Sequence, residues 1–164
     1  MIKLMRLKQL TFIFFLLTVA GIVQAAGVSV QTLDGEKGGL SDHLTKGKVN
    51  LVMVWTTYCH ICRRQYPIIS EFHNKYKDGK AVVLGISLDG FEQPEKVGKY
   101  RAEQSHSFPS VLAQSEDFGE LYEKTTGTPF TGTPTYVVFG KDGGLIAYLN
   151  GPVTAKALDG LMAD

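Results

Sequence analysis

The chain of 164 residues has no low-complexity tract, no internal repeat of solenoid period and no run of basic residues. Without repeats or biased tracts, the composition is that of an ordinary globular domain, with 44% hydrophobic and 20% charged residues. The 17 basic residues nearly balance the 16 acidic ones and form no cluster, which argues against a nucleic acid as partner. A single domain is therefore predicted.

The chain also lacks a hydrophobic run long enough to cross a membrane. Its apolar run over residues 10–23 is shorter than the roughly 20 residues that a spanning helix needs. Three basic residues precede this run: Lys3, Arg6 and Lys8. This layout is typical of a secretory signal peptide, and small residues place the cleavage after Ala25. We expect residues 1–25 to be a signal peptide, with an uncleaved anchor as the alternative, and residues 26–164 to be an exported, periplasmic domain.

Beyond the signal peptide, the hydrophobic pattern alternates between strands and helices. Strands are predicted at residues 28–32 as a sheet edge, at 49–55 as a central strand buried on both faces, at 81–88, at 108–113, and in a hairpin over 135–151. Helices are predicted at about 59–77, at 93–104, from 115 onward, and in the tail from 154. This order predicts an α/β fold in which helices flank both faces of a mixed central β-sheet.

Cysteine is scarce, because Cys59 and Cys62 are the only two, and three interpretations of the pair compete. A structural staple is a poor interpretation, because closing so short a loop removes little entropy from the unfolded chain. A zinc site is also poor, because no second C-x-x-C is present. Its remaining ligands would be scattered histidines: His43, His60, His73 and His106.

The third interpretation is redox catalysis. The pair lies where the strand over 49–55 gives way to a helix, and the helix N-terminus stabilises an anion. Cys59 is then the more acidic, attacking thiolate. Cys62, one turn along the same helix face, resolves a mixed disulfide by attacking Cys59. The redox group is the disulfide itself, so no metal or other cofactor is expected.

The cysteine motif and two later features of the chain resemble a known family. The motif Trp55-Thr56-Thr57-Tyr58-Cys59-His60-Ile61-Cys62 after a strand, Pro67 within the following helix, and Gly132-Thr133-Pro134-Thr135 before a later strand resemble the thioredoxin superfamily. Within it, the segments "VVLGISLD" and "VVFGKDGGLIAYLNG" are similar to the exported TlpA/ResA-type thiol–disulfide oxidoreductases. The resemblance implies a thioredoxin-like fold and protein thiol–disulfide exchange.

The resemblance also implies a substrate-binding surface. It implies a cis bond between Thr133 and Pro134, in a loop opposite the cysteines that holds the substrate backbone. Pro129 in the same stretch is interpreted as an ordinary loop proline. Trp55 is expected to pack near the motif and shape the docking surface, and Tyr58 occupies the place where the family often has a second tryptophan.

Several positions near the cysteines depart from the family pattern. Where relatives carry a buried carboxylate, this chain has Met53 and Gln65, neither of which can act as a base. Ile61 stands where reducing members have proline. His60, when protonated, is expected to stabilise the Cys59 thiolate and raise the reduction potential, the alternative being an exposed spacer with little effect.

These departures leave the direction of electron flow open. The resemblance implies a TlpA/ResA-type reductase that acts on protein substrates as a monomer and is fed by a membrane electron-transfer partner. A DsbA-like thiol oxidase is the alternative.

A rival of another class is a Sco-like copper chaperone that uses both thiolates and a histidine such as His106. Such chaperones usually space the cysteines by three residues, and His106, in "SHSFPS", is expected to be a surface loop residue.

Overall fold

The computed structural model describes residues 27–162. The predicted signal peptide, residues 1–25, lies outside this range. Among residues 27–162, no helix is both long and apolar enough to cross a membrane.

The described chain contains the predicted elements, most with bounds shifted by one or two residues. The strands are β1 (Ser29–Thr32), β2 (Lys37–Gly39), β3 (Val49–Trp55), β4 (Ala81–Ser87), β5 (Ser110–Leu112), β6 (Thr135–Phe139) and β7 (Leu145–Asn150). The helices are α1 (His60–Tyr76), α2 (Pro94–Glu103), α3 (Ser115–Thr126) and α4 (Ala155–Gly160), and a 3₁₀ turn spans Leu40–His43. Helix α1 continues through Pro67.

The seven strands of the described residues form one mixed sheet in the order β2-β1-β5-β4-β3-β6-β7. Strands β3, β4 and β5 are parallel to one another, and the other neighbouring strands are antiparallel. The prediction that β1 is an edge strand is wrong, because β2 pairs with its outer side. Strand β2 was not predicted, since Lys-Gly-Gly carries no apolar alternation and resembles a turn.

Helices cover both faces of the sheet, as predicted, and β3 shows why. Successive side chains of a strand point to opposite faces. Leu51, Met53 and Trp55 lie in the core beneath α1, α2 and α4, whereas Val52 and Val54 lie in the core beneath α3. All five are fully buried, which accounts for the continuous apolar run of this strand.

The topology brings three chain segments to one edge of the sheet. The parallel strands β3 and β4 end side by side, with Trp55 paired with Ser87. Strand β6 is antiparallel to β3 and begins at this edge, because Thr135 pairs with Val54. The segments that follow Trp55 and Ser87, and the loop that precedes Thr135, therefore meet at the end of the sheet where α1 begins.

Candidate active site

The two cysteines are joined by a disulfide at the first turn of α1. Their sulfur atoms are 2.10 Å apart. Cys59 is the N-cap residue, and its Sγ accepts a hydrogen bond of 3.1 Å from the backbone N–H of Cys62. Cys62 is fully buried, whereas Cys59 is half-buried. Cys59 Sγ is therefore the sulfur within reach of a partner, and it lies at the positive end of the helix dipole.

Two large apolar side chains close to Cys59 in the chain are exposed. Tyr58, directly before it, is 71% exposed, and Ile61 within the motif is 39% exposed. His60 is also exposed. Large apolar groups at the surface are typical of a docking site. Tyr58 is therefore exposed enough to contact a substrate, as predicted, although the contact itself stays a prediction. The influence of His60 on the Cys59 thiolate also stays a prediction.

The loop before β6 lies at the same edge of the sheet. Its Thr133–Pro134 peptide bond is cis. Pro134 is buried and Thr133 is half-buried. The carbonyl of Pro134 accepts a hydrogen bond of 2.9 Å from Gly151 N, which ties the loop to the end of β7. Because Thr135 pairs with Val54, this loop faces the segment that leads from β3 to Cys59.

Trp55 packs near the motif, as predicted, but its predicted place among the substrate-binding residues is wrong. Its side chain is fully buried and packs in an aromatic cluster beneath the motif. The ring centroids of Tyr66, Tyr100 and His106 lie 5.6, 5.9 and 5.0 Å from that of Trp55. Trp55 supports the start of α1 from below and cannot touch a substrate.

His106 belongs to the same cluster, and its predicted place in a surface loop is wrong. It is only 8% exposed, and its ring centroid lies 3.8 Å from that of Phe108. Its Nε2 is 3.0 Å from Ser110 Oγ. Burial, with a smaller contribution from the charge of Arg101, lowers the pKa of His106 to about 3, so the ring is neutral at physiological pH.

The copper hypothesis receives no support from this arrangement. In the described part of the chain, no three His, Cys, Asp or Glu side chains are grouped closely enough to hold a metal ion. His106 is enclosed by aromatic rings and does not join the two cysteines in a set of metal donors.

Gln65, which stands where the family resemblance implies a carboxylate, accepts hydrogen bonds inside the protein. The residue is buried, one turn after Cys62. Its Oε1 accepts hydrogen bonds from Val153 N at 2.7 Å and from Tyr136 Oη at 3.0 Å. Gln65 therefore links α1 to the strand that follows the cis proline and to the segment before α4.

Replacement of Gln65 by leucine should destabilise the fold. The change keeps the side-chain volume similar but leaves two buried donors, on Val153 and Tyr136, without an acceptor. We expect the free energy of unfolding to fall by about 3 kcal/mol in urea titrations. Tyr136→Phe, which removes one donor and leaves Val153 paired, should cost only about 1 kcal/mol. Equal losses for the two variants would contradict this account.

Asp89 is a site residue that sequence reasoning missed. It follows β4 and its side chain is only 1% exposed. Its carboxylate accepts hydrogen bonds from Thr57 N (2.9 Å), Thr57 Oγ1 (2.5 Å) and Ser87 Oγ (2.7 Å), and it pairs with Lys96 Nζ at 3.0 Å. Burial would raise the pKa of Asp89, but these hydrogen bonds outweigh it and hold the pKa below its usual value. In the sequence, the feature that could have indicated this residue is an acidic side chain directly after the predicted buried strand at 81–88.

Comparisons with known proteins agree with this geometry. Residues 23–161 match the Redoxin family. Thioredoxin-like protein YneN of Bacillus subtilis (strain 168) is 37% identical over 73 residues, which cover 44% of this chain and 41% of YneN. Thiol-disulfide oxidoreductase ResA of Bacillus anthracis is 29% identical over 140 residues, which cover 85% of this chain and 75% of ResA. The chain thus matches less than half the length of YneN.

Solved structures resemble the fold as well. The crystal structure of the thioredoxin domain of a thiol-disulfide oxidoreductase from Bacteroides vulgatus superimposes with a TM-score of 0.65 at 26% identity. The match covers 84% of this chain and 94% of that domain. The predicted thioredoxin-like fold is confirmed, and the chain belongs to the Redoxin family, as a TlpA/ResA-like thiol–disulfide oxidoreductase of the thioredoxin superfamily.

Proposed function

We propose that the protein is an exported reductase that transfers electrons to disulfides of other proteins through Cys59 and Cys62. The observation that carries disulfide exchange through this pair is its asymmetry: Cys59 is half-buried at the N-terminus of α1, whereas Cys62 is fully buried. A sulfur at a helix N-terminus has a stabilised thiolate, which is the reactive form. The exposed Tyr58 and Ile61 beside it suit a partner that is itself a protein.

The reaction proceeds through a mixed disulfide. In the reduced protein, the Cys59 thiolate attacks one sulfur of the client disulfide, forming a Cys59–client bond and releasing the other client sulfur as a thiolate. Cys62 then loses its proton and attacks Cys59, which forms the intramolecular disulfide and releases the second client thiolate. Two electrons have passed to the client, whose thiolates take up two protons. A dithiol of a membrane partner returns the electrons by the reverse exchange.

A trapping experiment tests both the mechanism and the nature of the client. Cys62→Ser retains the attacking sulfur but cannot resolve the mixed disulfide, so a covalent adduct should accumulate and disappear on treatment with dithiothreitol. Mass spectrometry of the adduct identifies the captured chain and the cysteine involved. The double variant Cys59→Ser/Cys62→Ser is the matched control and should capture nothing. An adduct attached at position 62 in a Cys59→Ser variant at equal yield would contradict the assigned roles.

The direction of electron flow is tested by equilibrating the protein with glutathione buffers. A reduction potential near that of thioredoxin, about −270 mV, supports a reductase. A potential near about −120 mV supports the DsbA-like alternative instead.

Export is tested by expressing the whole sequence with its predicted signal peptide. A secreted product that begins at Ala26 supports cleavage of residues 1–25 as predicted.

A further inference from the structure

Asp89 connects three segments of the chain around the disulfide. Its carboxylate binds the turn before Cys59 through Thr57, the end of β4 through Ser87, and helix α2 through Lys96. Thr57 contributes two donors, its backbone N–H and its hydroxyl. With Ser87 Oγ and Lys96 Nζ, the carboxylate has four donors, and this contact fixes the path from β3 to Cys59.

The same contact places a negative charge close to Cys59. Thr57 N donates directly to Asp89, and Cys59 lies only two residues further along the chain. Two residues span at most about 7 Å, which places the carboxylate within about 10 Å of the backbone nitrogen of Cys59. The carboxylate is almost fully buried, so solvent ions screen its field much less than that of a surface charge. A thiolate on Cys59 must therefore form in the field of this anion.

Lys96 compensates this charge only in part. It pairs with Asp89 Oδ1 at 3.0 Å, but its side chain is 52% exposed, whereas that of Asp89 is 1% exposed. Water and salt weaken the field of the exposed cation more than that of the buried anion. The other three donors to Asp89, from Thr57 and Ser87, are neutral groups. The pair as a whole should therefore act on Cys59 as a net negative charge.

We propose that Asp89 is a positioning residue that anchors the turn before Cys59 and whose charge disfavours the Cys59 thiolate, which makes the protein a stronger reductant. This inference rests on the proposed disulfide exchange. On reduction, the Cys59–Cys62 bond breaks, two electrons from a donor dithiol enter, and Cys62 takes up a proton while Cys59 carries the negative charge of its thiolate. Repulsion from Asp89 destabilises this reduced form relative to the disulfide.

Two substitutions test the proposal, one that removes the anion of Asp89 and one that removes the cation of Lys96. Asp89→Asn removes the anion at similar volume, and we expect the equilibrium constant against glutathione to shift about tenfold toward the dithiol, or about 30 mV toward a more oxidising potential. Lys96→Gln removes the compensating cation, and the constant should shift about threefold the other way. The pKa of the Cys59 thiol, followed by thiolate absorbance, should fall in the first variant and rise in the second.

A matched control separates charge from structure. Glu92→Gln removes an exposed carboxylate from the same loop, and its equilibrium constant should change less than twofold. General loosening of the turn would move Asp89→Asn and Lys96→Gln in the same direction, and this result would overturn the proposal. If Asp89→Asn does not fold, Lys96→Gln alone decides, because an unchanged or raised potential in that variant also overturns it.

The test of Asp89 does not depend on whether the protein is a reductase. The potential of the unmodified protein tests the direction of electron flow, whereas the difference between each variant and the unmodified protein tests Asp89. A wild-type potential near that of DsbA would refute the reductase assignment, and the sign of the two shifts would still decide the role of Asp89.

Discussion

Replacement of Cys59 by serine is expected to reduce disulfide exchange to the rate observed without protein. Cys59 supplies the accessible sulfur, and Cys62 is fully buried and cannot replace it. A serine hydroxyl neither ionises near neutral pH nor forms a bond to sulfur, so the first step of the exchange is lost. The loss is measured as insulin reduction in the presence of dithiothreitol and, in the opposite direction, as oxidation of a dithiol peptide.

An exposed residue on the same helix provides the control for this experiment. Arg64 lies on the solvent side of α1, and Arg64→Gln should retain nearly the full rate in both assays. Thermal unfolding of both variants should remain cooperative, since Arg64 is exposed and serine is similar in size to the half-buried cysteine that it replaces. A Cys59→Ser protein with the wild-type rate in either assay would show that the catalytic assignment is wrong.

The second large effect is a loss of stability in acid, which arises from His106. The pKa of its ring is about 3 in the folded protein and about 6.5 in an unfolded chain. As the pH falls below about 6.5, the unfolded state binds a proton that the folded state refuses, so the free energy of unfolding decreases. The slope approaches about 1.4 kcal/mol per pH unit, and the total by pH 3 is about 4 kcal/mol. Above about pH 6.5 this contribution to stability is fully present.

Urea titrations at several pH values test this effect. His106→Phe keeps an aromatic ring against Phe108 but cannot be protonated, so the slope between pH 6 and pH 4 should become shallower by about 1 kcal/mol per pH unit. Some slope should remain, because burial also lowers the pKa of His73. His60→Gln is the control: this histidine is exposed, and the wild-type slope should persist. A His106→Phe protein with the wild-type slope would contradict the account.

The sequence predicted most of the fold because local patterns determine it. The apolar run of β3, six of whose seven residues are hydrophobic, and the helical spacing of apolar residues in α1 are local patterns that a single sequence shows. The position of Cys59 and Cys62 at the junction followed directly from these two elements. The predicted fold class and the assignment as a thiol–disulfide oxidoreductase are confirmed by the family match and the relatives, whereas the separate roles of Cys59 and Cys62 stay predictions.

The errors concern side chains whose environment is made by distant segments. Trp55 ends an apolar strand, and nothing local distinguishes a buried last residue from one that reaches the surface. His106 stands between serines, as in a loop, yet it is buried because Phe108 and Trp55 enclose it. Asp89 meets Thr57 only because β3 and β4 end side by side, and this pairing joins residues that are far apart in the sequence.

The burial of Cys62 has a kinetic consequence under the proposed mechanism. Since only Cys59 is within reach, the client and the electron donor must each bond to the same sulfur, and the two cannot occupy the site together. The protein therefore alternates between two covalent forms and carries electrons in discrete pairs, as a shuttle. Steady-state rates should follow a substituted-enzyme scheme, in which double-reciprocal plots at different donor concentrations are parallel and excess client competes with the donor.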